Sequence, residues 1–474
     1  MKVILIKSLS LIISLACAVG ALLWWLGRPA PEFTASVPGL DKVPPGARNK
    51  VQKVEIGKFF KRFDNKYDKS LTGEWTRFRG KDFSNICRDG IKLSDKWPAK
   101  GPQVLWRKKL GEGHAAPVIF KGRVYILDYL EDEQADALRC FSLRDGHEIW
   151  RRWYKVKIKR NHGRSRTIPS VNSDYVVTIG PKCQVMCVRS ETGELLWGKD
   201  LIREYGAEVP QWYTGQCPLI DGSTVVLAPG GKDVLLMGVN AADGKVLWTT
   251  PNPDDWKMSH ASIMPMTLAG QKMYVYSSLG GVIGVSTKGK VLWKTSKWSP
   301  SVIAPSPVVM NNGLIFLSAG YGAGSMTIQV SYEKGKYKVE ELNRYRPRHG
   351  LALEQQSAIW DNGLLWGIMP KDAGARRQRF VGCTANNAKE FKVFAPNELK
   401  FGLGPFIKAD GKFYILDDGG TLTMLKFKDN KCSVLGRSKV LEGHDAWGPI
   451  ALADGYMLLR DSTSMVCLNM RGEK

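Results

Sequence analysis

The 474-residue sequence predicts an all-β fold, an eight-bladed β-propeller of four-stranded blades preceded by an N-terminal transmembrane helix or signal sequence. Three observations carry this. A Gly turn, an apolar run and a Trp recur as KGPQVLW (100–106), DGHEIW (145–150), TGELLW (192–197), DGKVLW (243–248) and KGKVLW (288–293). Their tryptophans, Trp106, Trp150, Trp197, Trp248 and Trp293, stand 44, 47, 51 and 45 residues apart, a period that fits propeller blades or long helical repeats. Gly ahead of β-branched and aromatic residues selects hairpins over helices. A second unit, a strand, a tight turn and a strand opening on Pro or Ser, recurs eight times, at 116–127, 169–179, 218–228, 265–276, 306–317, 357–368, 405–416 and 449–460. The third observation is an uncharged run of twenty residues near the start.

That run, residues 8–27, follows Lys2 and Lys7 and precedes Arg28. Twenty apolar residues suffice to span a bilayer, so residues 1–28 read as a signal anchor. Ala16-Cys17-Ala18 also offers a signal cleavage site, and Cys17 a lipidation site. All three readings export the propeller. The expected location is the cell envelope, anchored at the inner membrane with the propeller in the periplasm or outside. Residues 29–74 form a linker: PAPEF, VPGL and VPPGAR make a spacer, and VQKVEIGKFFKRFDNKYDKS (51–70) a short helix or a segment lying on the propeller.

Residues 75–474 make the ring. Each hairpin is followed by a third run, such as VMCVRSETG (185–193) or VIGVSTKG (282–289), and the Trp run supplies the fourth strand. Three degenerate fourth strands fall around KGKYKVEEL (334–342), AKEFKVFAP (388–396) and NKCSVLGR (430–437). The chain ends at CLNMRGEK (467–474), where the eighth blade needs its outer strand, while Trp106 precedes the first hairpin. The segment 100–110 is therefore expected to complete the last blade, which removes free sheet edges. The repeated tryptophans are expected to pack between neighbouring blades.

Nine cysteines in an exported chain suggest disulfides, but Cys140 and Cys187 each lie ten residues before a repeat Trp and Cys467 falls in the matching run. That is the signature of one small buried strand position. Cys-x-x-Cys-His is absent, Cys183 and Cys187 have the wrong spacing for zinc, and no metal is expected. The net charge of +24 suits a polyanion or an anionic membrane face. No nucleic-acid module accompanies it, so nucleic acid is not an expected partner. RRWYKVKIKR (151–160) and GARRQRF (374–380) read as solvated basic surface beside anionic lipid, or as a site for a cell-wall polymer.

Loops leading into the innermost strands of a propeller gather at one mouth of its channel. Five of the six histidines, His114, His162, His260, His349 and His444, fall in such loops, and His147 in a turn. With Arg164, Arg166, Trp212, Tyr213, Trp256, Glu354, Gln355 and Trp447 they make a candidate funnel. Imidazole, guanidinium, indole and carboxylate there suit a planar or anionic ligand; the same groups suit a polar rim that satisfies loop backbone. No Ser or Cys stands in a Gly-x-Ser-x-Gly context, so no catalytic residue is assigned.

The unit in 166–197 and 218–248 resembles the pyrroloquinoline-quinone-like β-propeller repeat, over residues 100–474. The opening EWTRFRGKDFSNI (74–86) and KWPAKGPQVLWRKKLGEGHAAP (96–117) resemble its bacterial envelope subgroup, in which Trp-x-x-Phe-Arg-Gly precedes the ring; the outer-membrane-protein assembly propeller lipoprotein is similar. The resemblance implies a quinoprotein alcohol dehydrogenase-like fold and two kinds of function. Quinone-dependent (PQQ) dehydrogenases show an adjacent cysteine pair over the cofactor, a calcium or lanthanide on acidic and amide side chains, and an Asp base. This chain has no adjacent cysteine pair and is shorter, and no position matches the metal or base motif. The expected function is thus a membrane-tethered, envelope-facing module that binds or scaffolds proteins or envelope polymers, with no cofactor. The alternative is a PQQ-dependent alcohol or sugar dehydrogenase using calcium in the funnel.

Overall fold

The computed structural model describes residues 2–28, with side chains from Ile12 onward, and residues 53–472. Most of the expected spacer, residues 29–52, lies outside the described residues. A first unit contains the helix Lys2–Leu26, whose Ile12, Leu15, Val19, Leu22, Trp24 and Trp25 are exposed. Its described side chains, 12–26, cover about 22 Å of helix. Among the described residues no helix is long and apolar enough to cross a membrane.

The second unit contains eight sheets, each built on four antiparallel strands that are consecutive in the chain in the first seven, with strands added to the first and seventh, so the degenerate fourth strands are real ones. They are Lys336–Tyr345, Phe391–Phe394 and Lys431–Lys439. The eighth sheet reads Ala451–Ala453, Tyr456–Arg460, Ser464–Asn469 and then Gln103–Lys109, which closes the ring from the other end of the chain as expected.

The repeated hexapeptide has a local cause. Each Trp faces one small residue on the strand beside it: Cys140 opposes Trp150, Cys187 opposes Trp197, Gly238 opposes Trp248, Gly284 opposes Trp293 and Cys467 opposes Trp106. A β-bulge follows at every one of these pairs. All nine cysteines are free thiols, and these three fill the small position. The indole then reaches the next blade. The Gly of that blade's turn, Gly146, Gly193, Gly244 or Gly289, has φ near +70 to +80° and lies under the ring of Trp106, Trp150, Trp197 or Trp248. A Cβ there would come within 2.6 to 2.8 Å of the ring, so the turn needs Gly both for its backbone and for the indole above it. Indole N–H groups of Trp106, Trp150 and Trp197 donate to Leu143, Glu191 and Ala241 carbonyls of the same turns.

Around the axis a second contact recurs. Backbone N–H of Ile168 donates to Cys217 Sγ, that of Cys217 to Ser262 Oγ, that of Ser262 to Ser306 Oγ, and that of Ser306 to Ser357 Oγ. Blades 2 to 6 are thereby joined by a belt of buried bonds ahead of their first strands.

The segment before the ring lies on it as strands, with no helix over 51–70 among the described residues. Phe59–Arg62 adds an outer strand to blade 1, and Glu74–Trp75 pairs with its innermost strand. Thr76 accepts from Val171 of blade 2, Arg77 donates to Ile220 of blade 3, Arg79 to Ala358 of blade 6, and Ile86–Cys87 pairs with Phe406–Ala409 of blade 7. The Trp-x-x-Phe-Arg-Gly start is a plug across one mouth of the channel. Trp75 is buried with Gly80 on its ring, and Arg79 is buried on the carbonyls of Phe83, Ser84 and Ala358.

Candidate funnel

Phe78 of the plug faces the channel, which opens at the other mouth as a cavity of about 560 Å³. Of the expected residues, His114, His162, Arg166, Trp212, His260, Glu354, Gln355 and Trp447 line it. Five do not. Arg164 pairs with Glu131 at 2.6 Å and lies over the Tyr129 ring. The Tyr213 hydroxyl donates to the Lys159 carbonyl. Trp256 is buried in its blade against Gly280 and Gly281, because those two glycines leave room for an indole. His349 is exposed in a turn where its N–H donates to the Arg346 carbonyl. His444 points to solvent beside Asp445 at 3.0 Å.

Tyr321, Lys371 and Asp372 line the cavity without having been expected. They sit on loops joining second to third strands, which open at the same mouth as the loops between blades. The run AGYGAGS (319–325) was their available signal, a Gly-rich turn around one aromatic.

An aromatic shelf crosses the mouth. Trp212 stacks on His260 at 6.0 Å and on Tyr321 at 5.9 Å. Trp212, Tyr213 and Tyr321 have φ of 63°, 71° and 55°, a left-handed conformation that side chains other than Gly adopt at a cost. Arg166 holds the shelf from behind: Nε donates to the Trp212 carbonyl and Nη2 to those of Asn161 and His162. Its Nη1 has no protein partner among the described residues. Burial, which no bonded carboxylate among the described residues offsets, pulls the guanidinium pKa down to about 10.

Buried His114 and half-buried His260 are both held toward the neutral form. Burial, then Arg166, pushes His260 down to about 3; burial, then Arg166 and Arg460, does the same to His114. His114 Nε2 meets the His162 carbonyl at 2.9 Å, so Nε2 carries the proton. Its ring lies 5.0 Å from Trp447, whose indole N–H donates to Asp418. Across the cavity Glu354 accepts no hydrogen bond among the described residues, and burial raises its pKa against the pull of Lys371.

The donor set bears on a metal-assisted quinone. Cys217 is the one cysteine on the described wall, and its Sγ belongs to the belt. Among the described residues no three His, Cys, Asp or Glu side chains are grouped to hold a metal.

Ring and funnel define the class: an eight-bladed propeller built like the quinone-dependent alcohol dehydrogenases. Among solved structures the chain is similar to a europium-containing methanol dehydrogenase (10% identity, 84% of this chain and 89% of that chain, TM-score 0.56). It is also similar to quinohemoprotein alcohol dehydrogenase from Comamonas testosteroni (9% identity, 85% and 81%, TM-score 0.58) and to BamB from Moraxella catarrhalis (10% identity, 78% and 99%, TM-score 0.52). At these identities the likeness is one of fold. Residues 134–378 match the family model of the outer membrane protein assembly factor BamB, and the chain belongs to that family. No curated protein matches its sequence.

Proposed function

We propose that this chain is an envelope propeller that binds partners rather than transforming a substrate, with the funnel as the seat for an aromatic or anionic group of an envelope protein. The shelf is the observation that supports this reading best: three stacked rings, two of them, Trp212 and Tyr321, on strained backbone, beside a guanidinium nitrogen with no protein partner among the described residues. Strain of this kind persists where the surroundings enforce it and clusters at ligand clamps. Family membership supports the same reading, since BamB is an outer membrane protein assembly factor. The Lys2–Leu26 helix is the proposed inner-membrane tether. Its described side chains from Ile12 to Leu26 are exposed and, Ser14 and the two indole N–H groups apart, without polar oxygen or nitrogen, and Arg28 lies 3.6 Å from the Trp24 ring centroid, a pairing suited to the bilayer interface.

Placing a photo-crosslinking phenylalanine analogue at Tyr321 in living cells, with one at the outer-strand Glu340 as control, tests the reading. Envelope proteins captured from Tyr321 and not from Glu340 are expected; equal or absent capture overturns it. The oxidoreductase alternative is tested by titrating the full chain with pyrroloquinoline quinone, with and without calcium. Saturation at one equivalent with a raised melting midpoint moves the chain to the enzymes; no saturation is expected.

A further inference from the structure

We infer that the outer face of blade 1 is a docking surface for an anionic lipid bilayer. The Phe59–Arg62 strand pairs with Glu148–Lys155 so that Phe59 stands beside Trp153 and Lys61 beside Arg151. Strand alternation then puts Phe59, Lys61 and Phe63 on one face with Arg151, Trp153 and Lys155. The row continues: Val156 and Ile158 are buried while Lys157 and Lys159 are exposed. The result is a ribbon of alternating aromatic and basic side chains. Phe59 stacks on Trp153 at 5.7 Å, Lys61 lies 4.8 Å and Arg151 5.0 Å from the Phe63 ring, and Lys155 lies 6.0 Å from Phe59.

Charge and exposure choose the occupant. Residues 53–69 and 151–160 contain twelve Lys and Arg against three Asp and Glu. The acids beside the ribbon are already matched, Glu148 by Arg139 and Arg151, Asp68 by Arg144. Lys61, Lys66, Lys155, Lys157 and Lys159 have no carboxylate partner among the described residues. On this face Phe63 is 43% exposed. Solvated lysines flanking the exposed Phe63 and the half-buried Phe59 match an interface of acyl chains under anionic headgroups, where lysine supplies long-range attraction and the ring inserts. A protein partner would more often meet arginine and a dry apolar centre. The ribbon begins some thirty residues after the apolar helix. Docking needs the proposed tether for proximity alone.

The full chain in nanodiscs of phosphatidylcholine, or of phosphatidylcholine with phosphatidylglycerol, separates the two. Lysines are acylated with a soluble ester and their modification read by mass spectrometry. Lys61, Lys155 and Lys157 are expected to lose labelling about fivefold in the anionic discs, on the scale of one basic residue at such a surface. Lys336 and Lys338 on blade 5 are expected to be unchanged, and the protection to vanish in high salt. In Phe63→Ser protection should weaken at the same lysines, although the substitution is at an exposed site and leaves the fold intact. Equal labelling in both discs overturns the docking surface even if the chain remains disc-bound. Failure to enter neutral discs at all overturns the tether instead, and lysine protection is then read with anionic vesicles.

Discussion

Blades 1 to 4 and blades 5 to 8 share one strand order and hold together differently. In the first half the indoles of Trp150, Trp197 and Trp248 lie on the Gly turn of the next blade, and Trp106, which blade 8 takes from the other end of the chain, lies likewise on that of blade 1. In blades 5 to 7 the register puts Asn343, Val393 and Gly436 where the Trp would be. Two substitutes replace it. The ring of Trp97, from outside the repeats, packs over Gly436, and Trp366, Phe380, Phe406, Phe413 and Phe427 form one aromatic cluster across blades 6 and 7. The two halves teach that the ring requires apolar mass between blades, and that a periodic residue is one way to provide it.

The largest effects should come from removing that mass in either half. Trp150→Ala and Phe380→Ala are each expected to cost about 3 to 5 kcal/mol in denaturant unfolding, since both side chains are fully buried. A loss confined to Trp150 would make the repeat, and not the mass, the holding element. Trp248, half-buried and stacked on Tyr274, should cost less than Trp150. Next in size, Gly193→Ala adds a Cβ 2.7 Å from the Trp150 ring at φ +70°, for about 3 kcal/mol of combined overpacking and backbone strain. Gly335→Ala, at φ +80° in the corresponding turn of blade 5, meets nothing within 4 Å and should cost only the backbone part, about 1 kcal/mol. Equal losses would remove the interlock from the account.

The halves also bury charge differently. Lys412 of blade 7 is buried with Asp95 at 2.7 Å and Asp410 at 2.9 Å. Asp136 of blade 1 has no cation, only the hydroxyls of Tyr154 and Ser165, and burial raises its pKa to about 7. With the folded value above the unfolded one, its stability contribution is present at low pH and lost as pH rises from about 4 to about 7. Measured against Asp136→Asn, wild-type stability should fall across that window, by no more than about 1.4 kcal/mol per pH unit, and run parallel above it. Parallel curves throughout would mean that Asp136 is ionised and matched in the fold.

The same difference explains what the sequence made legible. Blades 1 to 4 announce themselves because one indole and one Gly must recur at fixed spacing. Closure by 103–109 followed from a Trp strand left without a blade. Blades 5 to 7 kept only the hairpin pattern, because an aromatic cluster made by side chains distant in sequence has no period. In the funnel, His114, Arg166, Trp212 and His260 were found by their place before a first strand. Tyr321, Lys371 and Asp372 were missed because loops between second and third strands reach the same mouth, and Phe78 because its motif lies outside the repeats. Arg164 and His444 were misplaced because neighbouring carboxylates draw them away, which spacing does not report.

Ring closure joins strands from opposite ends of the chain, and this bears on how the protein is made. Synthesis delivers 103–109 first and its partner, Ser464–Asn469, last, so the earlier strand stays unpaired while seven blades emerge. The plug waits likewise for blades 6 and 7. A ribosome-bound or partly exported chain therefore carries an open sheet edge for most of its length, and a chain cut short anywhere before residue 464 never loses it.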